Sequence, residues 1–203
     1  MEIVRHNRAR LDSVELLPFK RYIYDGFGGI MTGHLYVPAL DKSHKPASFS
    51  KAVVTDLLQK ELGFQGLCFT DALAMKGAST KKTDNPSVKA LLAGNDILLA
   101  PAAPINDFTA VKEAIEEGGL DLEAIEAKCL KILRYKYIAG LNAYKPVETK
   151  GLSKRLNSPH AAWMAAKMNS EAITVLKNED TILPLKQLNK KKIAALSIGD
   201  GVG

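Results

Sequence analysis

Three short, unbroken apolar runs constrain this chain more than anything else in it. They are Ile30-Met31 within GGIMTGHL (28–35), Leu67-Cys68-Phe69 within GFQGLCFT (63–70) and Ile97-Leu98-Leu99 within NDILLA (95–100). Each is too short for a helix and is fenced by glycine or polar residues, so each reads as a strand. Between them lie amphipathic stretches. Ser50 is a good N-cap for a helix over 50–62 that carries Val53, Val54, Leu57 and Leu58 on one face, and Gly63 stops it. A shorter helix over 87–93 ends at Gly94. Strands roughly 30 to 36 residues apart, with a helix in each gap, are successive βα units of a parallel sheet. Continuous apolar character is what burial on both faces of such a sheet requires.

A doubly wound sheet and a (β/α)8 TIM-like barrel both fit that pattern, and in either one ligands meet the C-terminal ends of the strands. The second run climbs directly to a carboxylate, Asp71, before the chain turns away through Ala72-Leu73-Ala74-Met75. His34 stands at the matching end of the first strand. Asp96, at the start of the third strand and so on the side away from that rim, reads as structural. No glycine-rich phosphate loop follows the third strand, where Pro101 and Pro104 sit instead.

The rest of the chain is read more coarsely. Residues 11–24 have helical spacing interrupted by Pro18. A helix starting at Asp121 is expected to turn Leu122, Ile125, Cys129, Ile132 and Leu133 inward, with its bases late, as the helix dipole favours. Residues 142–158 lapse into a polar linker with Pro146 and Gly151. Beyond it, 159–172 is helical, and 173–176 and 193–198 are strand-like. The expected organisation is therefore one α/β unit over 1–141, a linker over 142–158, and the opening of a second α/β unit over 159–203.

Composition narrows the function classes. With 203 residues, 46% of them hydrophobic and 25% charged, the chain can bury a core and is not disordered by default. The formal charge of +6 is scattered over Arg5, Arg8 and Arg10, Lys81-Lys82 and Lys190-Lys191-Lys192, with no interleaved aromatics to stack bases, so nucleic acid is not the expected partner. No run of apolar residues is long enough for a membrane span. The two cysteines, Cys68 and Cys129, are too few for a disulfide framework and are expected as core thiols. No Cys/His cluster has metal-ligand spacing, and no cofactor is expected.

The segment ELGFQGLCFTDALAMKGA (61–78) resembles the nucleophile segment of glycoside hydrolase family 3, in its β-N-acetylglucosaminidase branch, where the pattern runs E-L-G-F-x-G-[VL]-x-x-[ST]-D-[DA]-L-x-M-x-[GA]. RARLDSVELLPF (8–19), MTGHLYVPALD (31–41), AGNDILLAP (93–101) and SEAITVLKNEDTILPL (170–185) agree with it in order and spacing. The resemblance implies the latter part of a TIM-like barrel followed by the start of a sandwich-like second domain. It implies that Asp71 is the nucleophile of a retaining, exo-acting hydrolase that removes terminal β-linked N-acetylglucosamine, with cell-wall muropeptides as one candidate source of the sugar, in a bacterial cytoplasm or periplasm. A β-glucosidase or β-xylosidase of the same family and a non-catalytic piece are the alternatives. The DALAMKG continuation favours the first reading, since the other branches more often follow the acid with Trp. His34 would contact a sugar hydroxyl or line the barrel mouth as a hydrogen-bonded histidine. Met75 would wall the sugar pocket or fill the core.

Retaining hydrolysis also needs an acid to protonate the leaving oxygen, about 5 Å from the nucleophile when both are carboxyls. In this branch that role resembles a His assisted by an Asp, on a loop of the form G-H-G-x-x-x-x-D-S-H just upstream of the segment matching HNRARLD. The chain holds no such loop. The expectation is a piece of a longer hydrolase, lacking an upstream half-barrel and the remainder of the second domain, and inactive alone.

Overall fold

The computed structural model describes residues 2–78, 84–179, 182–192 and 194. Lys81-Lys82 and, Ala194 apart, the strand expected over 193–198 lie outside the described residues. The chain divides into two compact units, Met1–Tyr144 and Lys145–Gly203.

In the first unit, β1 (Gly29–Thr32) and β2 (Leu67–Thr70) run parallel, with Ile30 opposite Cys68 and Thr32 opposite Thr70. The ladder continues one residue further, because the Asp71 N–H donates to the Thr32 carbonyl at 3.0 Å. The third apolar run joins only at a parallel bridge between Phe69 and Ile97, short of the strand its sequence suggests. The reason is visible in the hydrogen bonds. Around Ile97 the backbone pairs with Cys68 and Thr70, but the next amide, that of Leu99, goes to the Thr70 hydroxyl at 2.9 Å instead of to a carbonyl.

Helices pack around this small sheet. α1 (Leu17–Tyr24) starts with Pro18 in its first turn, where a missing N–H costs nothing, so the proline opens a helix that the sequence reading had it interrupt. The preceding residues form a separate turn, Leu11–Glu15, wound with i→i+5 bonds such as Leu16 N–H to Leu11 O at 2.8 Å. α2 (Ala52–Glu61) is wound the same way and buries Val54, Leu57 and Leu58. α3 (Pro86–Ala93) is capped by Asn85, which accepts from the amides of Ser87 and Val88, and is closed by Gly94 at φ +114°, a conformation that glycine adopts without a Cβ penalty. Ile30, Val54, Leu58, Phe64, Cys68 and Ala93 form the central core, with Tyr22 and Ile23 of α1 against it. A second cluster of Phe49, Leu73, Ala78 and Ala90 lies beside it.

α4 (Pro104–Glu116) and α5 (Leu122–Ile138) complete the unit. Asp121 caps α5 through the Glu123 amide, as its position suggested. The expected inward stripe is corrected in part. Ile125 and Ile132 are half-buried, but Leu122, Leu133 and Cys129 are exposed, so Cys129 is not a core thiol. Lysines on the same helix make the inward contact: Lys128 and Lys131 reach Asp96 at 3.4 and 2.8 Å, and Asp96 also accepts from the Cys68 amide at 2.8 Å. That buried carboxylate pins β2 to the start of the third run and to α5, a structural role. Cys68 is fully buried, and burial raises its thiol pKa against the opposing bond from Gln59, which keeps it unreactive.

Arg8 bonds Asp12 at 2.7 Å and also pairs with Glu61, while Lys20 reaches Asp12 at 3.1 Å. These residues are surface-facing, so their pairs orient the N-terminal segment against α2 more than they stabilise it. Asp41 has a firmer role in the loop after β1. Burial pushes its carboxyl up, but hydrogen bonds from Ser43 and Ser50 and the charge of Lys45 outweigh that, and its pKa lies below the ordinary value. A carboxylate whose pKa is lowered by folding contributes stability at neutral pH that fades as pH falls through its folded value. Stability of the protein is therefore expected to drop from about pH 4 downward. An Asp41→Asn variant, followed by urea melts across that range, should show a flatter acid limb.

In the second unit, α6 (Pro159–Ala172) is capped by Ser158, whose hydroxyl accepts from the Ala161 amide at 3.1 Å. Residues 173–176 read as a strand but pair with no partner among the described residues, and Leu176 is 93% exposed. An isolated apolar segment without a neighbouring strand has no ladder to join. No helix among the described residues is long and apolar enough to cross a membrane.

Candidate functional site

The site is built where β1, β2 and the third run end together. Asp71 follows the last residue of β2 and is half-buried; its Oδ1 accepts from the Ala72 amide at 2.7 Å. Among the described residues no Lys, Arg or His makes an ion pair with it. A carboxylate so placed keeps one oxygen uncommitted, and that is the feature a nucleophile needs.

The turn that carries Asp71 is held from three sides. On the β1 side its own amide meets Thr32, as above. On the other side, the amides of Leu73 and Ala74 donate to the carbonyls of Leu99 and Ala100 at 2.9 and 3.1 Å. Ala100 takes a positive φ of 41°, uncommon for a residue with a Cβ, at the end of the third run. Within the turn the Met75 amide closes back on the Ala72 carbonyl at 3.0 Å, and Leu73 is driven into the second core cluster. Burial of Leu73 and exposure of Ala74 and Met75 fix which way the turn faces. Met75 is 49% exposed beside it, so it does not fill the core.

His34 lies two residues beyond the end of β1 and is only 6% exposed. Its Nε2 is 3.2 Å from the Ala72 carbonyl and its Nδ1 is 2.7 Å from the Ser48 hydroxyl. Both ring nitrogens are thus occupied by protein groups. Beneath them sits a buried polar chain that sequence reasoning missed. Asn95, with 0% exposure, donates to the Ser48 and Ala90 carbonyls at 2.8 and 2.9 Å, and its Oδ1 accepts from the Thr32 hydroxyl at 2.7 Å. Polar residues scattered at positions 32, 48 and 95 have no local pattern, so only their placement by the fold unites them. A weak signal was available in Asn95: an amide directly before a buried strand, next to a helix-ending glycine, must find partners.

Gly77 touches this arrangement closely. A Cβ there would fall 2.8 Å from the His34 Cβ, a separation that forces one of them to move. Gly77→Ala is expected to cost about 1–3 kcal/mol through overpacking. It should also displace the imidazole, and a denaturant melt together with His34 ring resonances checks both effects.

Among the described residues no group of three or more His, Cys, Asp or Glu side chains could hold a metal ion. An apolar groove lined by Val4, Leu11, Phe19, Ile30, Leu57 and Leu62 opens beside β1 and does not include Asp71.

The parallel strands carry a half-buried acid at their C-terminal rim, where β/α domains, TIM-like barrels among them, place their ligand sites. The sequence profile of the glycosyl hydrolase family 3 N-terminal domain matches residues 1–135, and the chain belongs to that family. The chain is 32% identical to the β-hexosaminidase A of Pseudoalteromonas piscicida over 90% of its own length and 33% of that protein's. Against a β-hexosaminidase of Chromobacterium violaceum the identity is 39%, over 47% of this chain and 27% of the other. The solved family 3 β-N-acetylglucosaminidase of Paenibacillus sp. str. FPU-7 superposes with a TM-score of 0.75 at 29% identity, over 87% of this chain and 34% of that one. The chain thus spans about a third of the length of the first relatives it matches.

Proposed function

We propose that this chain carries the nucleophile half of a retaining glycosidase that removes terminal β-linked N-acetylglucosamine, with Asp71 as the nucleophile. The observation that carries the reading is the state of that carboxylate: at a strand end, half-buried, hydrogen-bonded through one oxygen and unpaired by any described cation. Attack by its free oxygen on the anomeric carbon would form a glycosyl ester as the leaving oxygen takes a proton; water would then cleave the ester with retained configuration. The names of the relatives support the sugar, since they are β-hexosaminidases and a β-N-acetylglucosaminidase.

Residues 1–141 are read as barrel, 142–158 as linker and 159–203 as the start of a sandwich domain. The acid that protonates the leaving group is read as lying outside these 203 residues, because no His-Asp loop of the required form occurs among them. Two proteins test this: the 203-residue chain, and a chimera in which it replaces the matched third of the P. piscicida β-hexosaminidase A. The chimera is expected to hydrolyse an aryl N-acetyl-β-glucosaminide and the chain alone to stay at the buffer rate. Hydrolysis of an aryl β-glucoside in preference to the N-acetyl sugar would move the assignment to another branch of the family.

A further inference from the structure

We propose that His34 is a positioning residue for Asp71, acting through the two peptides that meet at Ala72, and that Ser48 sets the imidazole tautomer in which it does so. The inference rests on the nucleophile reading for its catalytic meaning, but its geometry stands by itself.

A carbonyl oxygen can only accept, so the 3.2 Å contact between His34 Nε2 and the Ala72 carbonyl places the ring proton on Nε2. In the neutral ring Nδ1 is then an acceptor, and the Ser48 hydroxyl at 2.7 Å is the donor that satisfies it. Ser48 is itself immobile: it is fully buried, its amide donates to the Gly33 carbonyl at 3.2 Å, and its carbonyl receives the Asn95 amide. The chain Asn95, Ser48, His34, Ala72 therefore ends one residue from the nucleophile. Ala72 joins the two sides, because its amide donates to Asp71 Oδ1 at 2.7 Å while its carbonyl receives both His34 Nε2 and the Met75 amide. Loss of the histidine frees one lone pair of that carbonyl and loosens the Ala72–Leu73 peptide, which is joined at the Ala72 Cα to the Asp71–Ala72 peptide whose N–H holds the carboxylate. Both ring nitrogens being occupied, with the ring almost wholly buried, assigns His34 to orientation of Asp71 in place of contact with a sugar hydroxyl.

The test uses nitrogen and carboxyl-carbon NMR on the 203-residue protein and kinetics on the chimera. In the parent, ring nitrogen shifts should report the Nε2–H form; the Nδ1–H form would overturn the proposal. His34→Ala should shift the Ala72 amide and Asp71 carboxyl resonances, and His34→Gln, which can present an N–H to the same carbonyl, should return them toward the parent. Equal disturbance in both variants, or none in either, refutes the role. If His34→Ala fails to fold, Ser48→Ala decides, because it leaves the ring in place and removes only the donor to Nδ1. The Nδ1–H form should then become measurable, and a ring that stays wholly Nε2–H removes Ser48 from the account. In the chimera, His34→Ala should lower kcat by roughly 10- to 100-fold with a smaller change in KM, as expected for a misaimed group; a change in KM alone would restore the hydroxyl-contact role. Should Asp71→Asn leave the chimera active, the nucleophile reading fails while the NMR outcome still decides whether His34 orients that carboxylate.

Discussion

Asp71→Asn is expected to lower hydrolysis of an aryl N-acetyl-β-glucosaminide by the chimera at least about 1,000-fold, the scale on which loss of a nucleophile is felt. The substitution keeps the shape of the side chain, and its amide oxygen can still accept from the Ala72 N–H. What it removes is the negative charge and the lone pair that would form the ester. Since Asp71 has no described cationic partner, no ion pair is broken, and the melting midpoint should move little. The pairing of a large kinetic loss with a small stability change separates a reacting carboxylate from a structural one. A burst of aryl alcohol in the parent that vanishes in the variant would locate the loss in the first chemical step. Parent-like turnover by a folded Asp71→Asn chimera would remove the assignment.

The strands and the acid at their end were legible because both are local. Leu67-Cys68-Phe69 bounded by glycine can hardly be anything but a buried strand, and the carboxylate that follows it must emerge at the strand's end. α5 was legible from its start at Asp121, whose side chain answers an orphan amide, and α3 from its stop at Gly94, whereas the Asn85 cap of α3 read only as loop. Where the reading failed, the deciding partner was distant in sequence. Cys129 and Leu133 look like core residues on an apolar stripe, yet the long arms of Lys128 and Lys131 make the inward contact, because the buried Asp96 draws them. The third run stops short as a strand because Thr70 offers its hydroxyl to the Leu99 amide. His34 was left between two roles by its sequence, and the partners that narrow the choice, Ser48 and Ala72, lie 14 and 38 residues away. Ile173-Thr174-Val175-Leu176 has every local property of a strand, but a strand is a relation between two segments, and the second is not among the described residues.

Asn95→Leu is expected to destabilise the protein by about 1–3 kcal/mol, a sizeable share of the 5–15 kcal/mol typical of a domain. Leucine matches asparagine in shape, so the loss comes from hydrogen bonding and not from a cavity. The Ser48 carbonyl would be left buried without its donor, at about 1–3 kcal/mol, whereas the Ala90 carbonyl keeps the backbone amides of Gly94 and Asn95. Thr32 has an alternative acceptor, the Phe69 carbonyl at 3.1 Å, and should contribute little to the deficit. Asn95→Asp should not rescue: it can donate to the Ser48 carbonyl only when protonated, and an ionised carboxylate in a site with no exposure to water is costly. Ser48→Ala keeps the Asn95 bond, which goes to the Ser48 backbone, and removes only the hydroxyl donor to His34 Nδ1, so it measures that second loss separately. Urea midpoints at unchanged slope measure all three. An Asn95→Leu variant as stable as the parent would mean that the buried polar chain beneath the rim is dispensable to the fold. In that case the contacts of His34 with the Ser48 hydroxyl and the Ala72 carbonyl would hold without the amide beneath them.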